Sequence, residues 1–391
     1  MKNMMCALAF LGMLFQACTG NTNQKRQQVE NHSNELLMFV GSYAPISEEG
    51  IKIYSLNQET GAFTYLTGAK GVSNPSFLAL SSQLDHLYAV GEDEGSTATV
   101  NAFSFDKQAM RLTLMNSALT YGGAPCNVSL SPQEDFVLTA NYFGGNVSIF
   151  PLKSDGSLQT RKPHLLQFHG TSIHPERQTK SYLHSVRFTQ DQKYLIANDL
   201  GADKLYMYPV LTPDAKKEIG NSSLLIDESK RKDISVEPGS GPRHLCIHPN
   251  GVYYYLITEL SGKVISMRYE NETLTPFQYI AADTVHAEGS ADIHCTADGR
   301  FVYASNRLKA DGIAIFKVDQ QNGELTKIGY QLTGTHPRNF IITPNDKFLL
   351  VACRDTNEIQ IYQRDRESGL LQDTGKRINM EKPVCLKLAQ R

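Results

Sequence analysis

Residues 241–260, GPRHLCIHPNGVYYYLITEL, place a cation, an imidazole and a carboxylate where folding can bring them together. A β-rich run over 244–248 is followed by the turn-forming cluster Pro249-Asn250-Gly251, and a second β-rich run fills 252–257. Two such runs joined by a Pro/Asn/Gly cluster predict an antiparallel hairpin. The start of its first strand then lies beside the end of its second, so Arg243 and His244 meet Glu259. His184, Asp199, Arg307, Arg338 and Asn141 stand at comparable hairpin mouths elsewhere in the chain. Arginines gathered at one mouth suit bidentate binding of a carboxylate or phosphate. A His and a Glu beside them can serve as general acid and base. The same residues raise the possibility of a metal, since Asp199, Glu259, His184 and His244 are all possible ligands. None of their spacings is that of a HExxH or EF-hand site, and the adjacent arginines would repel a cation. Neither a metal nor a cofactor is expected, and no nucleophile elbow, P-loop or dinucleotide fingerprint is present.

The elements that must position these residues are repeats. Hairpins like that at 241 begin near residues 74, 124, 182, 290 and 336, and most continue into a third strand and a Gly-Xaa-Leu turn to a fourth. Four short strands at a period of roughly 45 to 60 residues define a β-propeller blade. The apolar run at 382–388 is a first strand with no partners after it, and residues 37–54 open the repeats with no first strand before them. Together they complete a seventh blade. The predicted fold is therefore all-β, a seven-bladed propeller of four-stranded antiparallel blades over 36–391, closed by the C-terminal strand. Polar spacers at 159–181 and 212–236 read as long loops. One mouth of the channel is expected to carry two families of residues. Those at the starts of the innermost strands are Ser76, Cys126, His184, Arg243, Asp292, Arg338 and Val384. Those at the ends of the second strands are Ser42, Glu92, Asn141, Asp199, Glu259, Arg307 and Arg354.

Composition narrows the function. With 391 residues, 41% apolar and a formal net charge of −2, the chain has ample core and no basic excess, which excludes a nucleic-acid binder of the electrostatic kind. Residues 1–17 combine a basic start with a short apolar run, the pattern of an export signal. Ala17-Cys18 then suggests a lipoprotein, anchored through Cys18 by a flexible tether over 18–35 and facing the periplasm or cell surface. Five further cysteines lie in strand-like runs without CxxC spacing and read as small buried residues. A monomer is expected, touching the membrane only through its lipid.

The runs GPRHLCIHPNGVYYYLITELSGKV, DGRFVYASNR, HPRNFIITPNDKFLLVA and NDLGADKLYMY resemble the seven-bladed propeller lactonases. That family groups propeller 6-phosphogluconolactonases with fungal carboxy-muconate cyclases, and the resemblance spans about 36–390. It implies an active-site set of His184, Arg243, Glu259 and Arg307. The family's Pro-His-Xaa-His is here Ser181-Tyr182-Leu183-His184, so the second histidine is kept and the first is not. The implied activity is lactone hydrolysis of a small anionic substrate. Arg243 and Arg307 would hold the anion and stabilise the oxyanion, with Glu259 and His184 as base and acid in either order. His244, Asp199, Arg338 and Asn141 would contact substrate. A lactonising cycloisomerase acting on a muconate-like carboxylate, and a non-enzymatic propeller that only binds, are the alternatives.

Overall fold

In Leu36-Leu37-Met38-Phe39-Val40 no polar residue alternates with the apolar ones, and the computed structural model, which describes residues 34–219 and 224–391, shows why. The strand Glu35–Ser42 lies inside a blade whose two faces are both covered. Leu36, Met38 and Val40 pack with Leu350, Ala352 and Ile361 of the preceding blade. Leu37 and Phe39 pack with Leu78, Leu87 and Phe103 of the following one. Successive side chains point to opposite faces, so a strand buried on both sides reads as continuous hydrophobicity.

The described residues form seven four-stranded antiparallel sheets. In chain order the innermost strands are Leu78–Leu80 (blade 2), Pro125–Leu130 (blade 3), Leu183–Phe188 (blade 4), Pro242–Ile247 (blade 5), Ser290–Cys295 (blade 6) and Pro337–Ile342 (blade 7). Blade 1 takes its innermost strand, Pro383–Gln390, from the C-terminus, paired with Glu35–Ser42 from Leu36↔Gln390 to Ser42↔Pro383. Pairing the two ends of the chain in one sheet removes the free edges that would otherwise invite association.

Hairpin turns are closed by one device. The hydroxyls of Ser81, Ser131, Thr189, Thr296 and Thr343 each accept the N–H five residues on. The same hydroxyls donate to Asp85, Asp135, Asp191, Asp298 and Asn345. This is the short-range side-chain capping that favours such residues in turns.

Both polar spacers hold structure instead of being plain loops. Residues 159–181 contain the fourth strand of blade 3, His164–Gln167, and 212–236 contain a short helix, Pro213–Ile219, and the fourth strand of blade 4, Lys232–Ser235. An outermost strand has one solvated face and is only four residues long here, so it carries too few apolar residues to announce itself. Cys126, Cys246, Cys353 and Cys385 are buried free thiols. Cys295 is half-buried, its sulfur 3.4 Å from that of Cys246 across blades 5 and 6. Residues 1–33, including Cys18, lie outside the described residues.

Candidate active site

The register of the innermost strands creates the site. In every blade but blade 2 the innermost strand pairs with its neighbour through a break in register near its start: at Cys126, His184, Arg243, Arg338 and Val384 one residue is skipped, and in blade 6 the break spans Ala291 and Asp292. A bulged residue leaves the hydrogen-bonded ladder and its side chain is re-aimed. Here the bulges turn Cys126, His184, Arg243 and Arg338 toward one another at one mouth of the channel.

A backbone rung in every blade sets the opposing position. The N–H groups of Tyr43, Glu92, Tyr142, Leu200, Glu259, Arg307 and Arg354 donate to the carbonyls of Lys382, Asn74, Ala124, Tyr182, Gly241, Gly289 and His336. In blade 5 the accepting residue is Gly241 at φ +69°, where a Cβ would sit 2.7 Å from the Leu260 side chain, so glycine relieves both the backbone and that contact. Three of the expected second-strand-end positions are thereby corrected by one residue, from Ser42, Asn141 and Asp199 to Tyr43, Tyr142 and Leu200. The polar residues face into their own blades instead. Asn141 donates to Asn146 and Ser148, both at 2.8 Å. Asp199 accepts the N–H groups of Tyr182 and Gly201, each at 2.9 Å, and of Ala202 at 3.2 Å. Burial raises the Asp199 carboxyl above its ordinary value. Both residues are fully buried blade-building groups, and neither lines the cavity.

Glu259 is the centre of the cluster. Its Oε2 accepts from Arg243 Nε at 2.8 Å and stands 3.5 Å from Arg307 Nη2, and its Oε1 accepts from Arg177 Nη2 at 2.7 Å. Burial alone would raise the carboxyl's pKa, but Arg307, Arg243 and Arg177 overcome it and hold the group at about 2. Arg243 and Arg307 lie beneath Glu259, almost fully buried. Arg243 Nη1 donates to the Ala291 carbonyl at 2.6 Å, and Arg307 Nε donates to that of Gly289 at 2.7 Å. The structure places these two arginines, expected to hold substrate, behind Glu259. Both are engaged by protein acceptors, and the arginines that line the cavity are Arg177 and Arg338.

A second tier fixes the first. His244 Nδ1 is 2.8 Å from Asp292 Oδ1, and its Nε2 is 3.4 Å from Arg243 Nη1. Burial, then Arg243, lower the His244 pKa to about 4. The neutral ring therefore donates from Nδ1 and presents a bare Nε2 to the guanidinium. His244 thus positions Arg243 and does not line the cavity. Burial would raise the Asp292 pKa, but His294 and His244 draw it well below the ordinary range. His336 plays the matching part for Arg307, at 3.1 Å.

His184 faces the cavity from blade 4. Its Nδ1 contacts the Cys126 sulfur at 3.7 Å, and its Nε2 stands 3.7 Å from Glu259 Oε2, beyond hydrogen-bond range. Burial first, then Arg243, His244 and Arg338, keep this imidazole well below its ordinary pKa and hence neutral at pH 7. Arg338 stacks over Tyr43 at 5.5 Å and reaches Glu92 at 3.6 Å, while the Tyr43 hydroxyl donates to Glu92. The cavity, open to solvent at the mouth, measures about 720 Å³ and is lined by Tyr43, Glu92, Tyr142, Tyr182, His184 and Glu259 together with the two arginines. That is ordinary for a small-molecule site. No cluster of three metal-ligating side chains forms among the described residues.

Arg177 is absent from the sequence-based expectations. It belongs to the segment joining blades 3 and 4, which crosses the mouth and is pinned by the fully buried Gln178, whose Nε2 donates to the Leu200 carbonyl at 2.9 Å. The one signal available was length, since a long connection in a compact domain is a common carrier of function.

A buried Glu–Arg–His constellation at the mouth of a seven-bladed ring defines a propeller with a small-molecule site. The family described as "Lactonase, 7-bladed beta-propeller" matches residues 37–388, and the chain belongs to it. It is 37% identical over 357 residues to the 6-phosphogluconolactonase of Bacillus subtilis, covering 89% of this chain and 97% of that one. Among solved structures, a Bacteroides fragilis protein provisionally assigned as a 6-phosphogluconolactonase superposes with a TM-score of 0.86 at 47% identity, covering 91% and 98% of the two chains. The Pseudomonas aeruginosa periplasmic gluconolactonase does so with a TM-score of 0.82 at 30% identity, covering 91% and 100%.

Proposed function

We propose that the protein hydrolyses a sugar-acid lactone in this cavity, with His184 as general base. The observation that carries the assignment is the division of labour between the two candidate bases. Glu259 has both oxygens committed to guanidinium groups and is held at about 2, which makes it a poor acceptor for a further proton. His184 is neutral, and its Nε2 has no hydrogen bond among the described residues.

A water about 2.8 Å from both His184 Nε2 and Glu259 Oε2 fits to one side of the 3.7 Å line between them. His184 takes one proton as the water oxygen bonds to the lactone carbonyl carbon, and the carbonyl π electrons move to oxygen. The Arg177 guanidinium in the cavity wall stabilises that oxyanion. Collapse re-forms the carbonyl and breaks the bond to the ring oxygen, which receives the proton from the His184 imidazolium. The product is the open-chain hydroxy acid. Glu259, 3.7 Å away, stabilises the transient imidazolium. Relatives named for 6-phosphogluconolactone and gluconolactone hydrolysis support the reaction class. The signal pattern at 1–17 and Cys18 supports an anchored enzyme acting outside the inner membrane.

The test is pH-stat hydrolysis of glucono-1,5-lactone and its 6-phosphate by residues 34–391, alongside His184→Asn. Turnover above the spontaneous rate, cut about 100- to 10,000-fold in the variant, is expected. Because the folded imidazole titrates well below 6.5, kcat should stay level from pH 8 down to 6.5, with any acid limb lower still. An acid limb centred at 6.5 or above, or full activity in His184→Asn, refutes the assignment.

A further inference from the structure

The charges around the cavity are layered. At the floor, Glu259 is surrounded by Arg177, Arg243 and Arg307, a net positive patch. On the opposite wall Arg338 and Glu92 balance. At the lip the lining is acidic: Asp93 and Glu94 come from the blade 2 loop, and Glu176 from the segment crossing the mouth. Glu94 and Glu176 are exposed and have no ion pair among the described residues, while Asp93 is held only by hydroxyls, Ser73 at 3.0 Å and Thr97 at 3.4 Å. Of the basic groups on the crossing segment, Arg177 is drawn inward onto Glu259 at 2.7 Å and the Tyr142 hydroxyl at 3.1 Å, and Lys180 is turned aside onto the Phe143 carbonyl at 2.6 Å and the Tyr182 ring. One wall is aromatic, with Tyr142 and Tyr182 at 4.8 Å between ring centroids and Phe143 beside them.

From this layering we infer that the substrate is an uncharged polyhydroxy lactone, an aldonolactone without a phosphate. The inference rests on the lactonase reading above. The positive floor serves the carbonyl, where negative charge develops only in the transition state. Aromatic faces suit the C–H face of a sugar ring. The far end of a hexonolactone bound carbonyl-down lies at the lip. A phosphate there carries close to two negative charges at pH 7 and meets three carboxylates, while the cavity's two arginines are drawn away onto Glu259 and Glu92. A site built for a phosphorylated lactone would place arginine or lysine at that end.

The experiment compares kcat/KM for glucono-1,5-lactone and 6-phosphoglucono-1,5-lactone in 10 mM and 500 mM NaCl, for the wild-type protein and for Glu94→Gln/Glu176→Gln. At low salt the neutral lactone should be favoured by about tenfold or more. Exposed charges are screened within about 10 Å at 0.1 M salt, so the preference should shrink as salt rises. The double substitution should shrink it about three- to tenfold at low salt by improving the phosphorylated substrate. A variant that merely folded poorly would depress both substrates alike and leave their ratio in place. A phosphorylated lactone preferred at low salt, or a ratio unmoved by both salt and substitution, overturns the inference while leaving the lactonase reading intact. Hydrolysis of neither lactone removes both.

Discussion

Replacing Glu259 with Gln keeps the shape of the side chain and deletes the charge that three guanidinium groups surround. The carboxyl is held at about 2 against an ordinary 4.5. At 1.36 kcal/mol per pH unit, this means the folded environment favours the ionised form by about 3 kcal/mol. A carboxyl with a lowered folded pKa contributes stability that is fully present above its unfolded pKa and is lost as pH falls through the folded value. Wild-type protein should therefore lose about 3 kcal/mol from this group between pH 5 and pH 2. At pH 7 the substitution also leaves Arg243 and Arg307 buried without a counter-charge, and breaking a buried pair in this way costs about 3 to 5 kcal/mol. Both estimates describe the same cluster from two sides, so the second figure is the expected total. It is a large fraction of the 5 to 15 kcal/mol typical of a folded domain. Urea unfolding at pH 7, 5 and 3 reads both effects through the midpoint and slope. Glu259→Gln should be less stable by about 3 to 5 kcal/mol at pH 7, and the gap should narrow as pH falls. A variant within about 0.5 kcal/mol of wild type at pH 7, or a gap that is constant with pH, refutes the picture of a carboxylate clamped by three cations.

Two further outcomes follow from the same geometry. Arg177→Ala removes the one guanidinium that reaches the cavity from the crossing segment, and a lost oxyanion donor costs about 100- to 1,000-fold in kcat. A change confined to KM in pH-stat assays would make Arg177 a binding group only. Ending the chain at Glu381 deletes the closing strand and with it the buried Val384, Cys385 and Leu386, each at most 1% exposed. Two full-sized aliphatic side chains at about 1.5 to 3 kcal/mol each, before any backbone pairing, approach the whole stability of a domain. The truncated chain should therefore be aggregated or unfolded by size exclusion and circular dichroism, and a cooperative melt near that of the full propeller would show that closure is dispensable.

How much of this was legible in the sequence depended on which physical rule wrote each residue. Blade number and closure were legible because strands buried on two faces leave long apolar runs, and because 382–388 lacked a partner until 37–54 supplied one. The outer strands His164–Gln167 and Lys232–Ser235 were not, since a short strand with one wet face has no distinctive pattern. At the site, His184, Arg243, Glu259 and Arg307 were recognisable from their place beside the hairpin mouths and from the resemblance to propeller lactonases. The role of each was not. Residue type says that arginine binds anions, but not whether the anion is a substrate or Glu259. Only burial and register distinguish Arg243 and Arg307, which back the carboxylate, from Arg177 and Arg338, which face the cavity.

The misplacement of Asn141 and Asp199 is instructive about how a propeller builds a site. Both stand at the end of a second strand, the position expected to line the mouth. The end of a second strand here is still inside the blade, where the last paired residue must satisfy turn amides, as Asp199 does for Gly201 and Ala202. Freedom begins one residue later, at the rung position, and opposite it at the bulge. Those two positions are the places in each blade where the ladder no longer dictates which way a side chain points. Blades 4 and 5 use them for His184, Arg243 and Glu259, while blade 4 spends its own rung position on Leu200 and blade 1 its bulge on Val384. The repeat therefore offers candidate side chains from several blades around one mouth, and chemistry arises where polar choices fall in neighbouring blades. Asp292 and His244 extend the rule, because a buried residue that does not line the cavity can still act by orienting a group that does its work there.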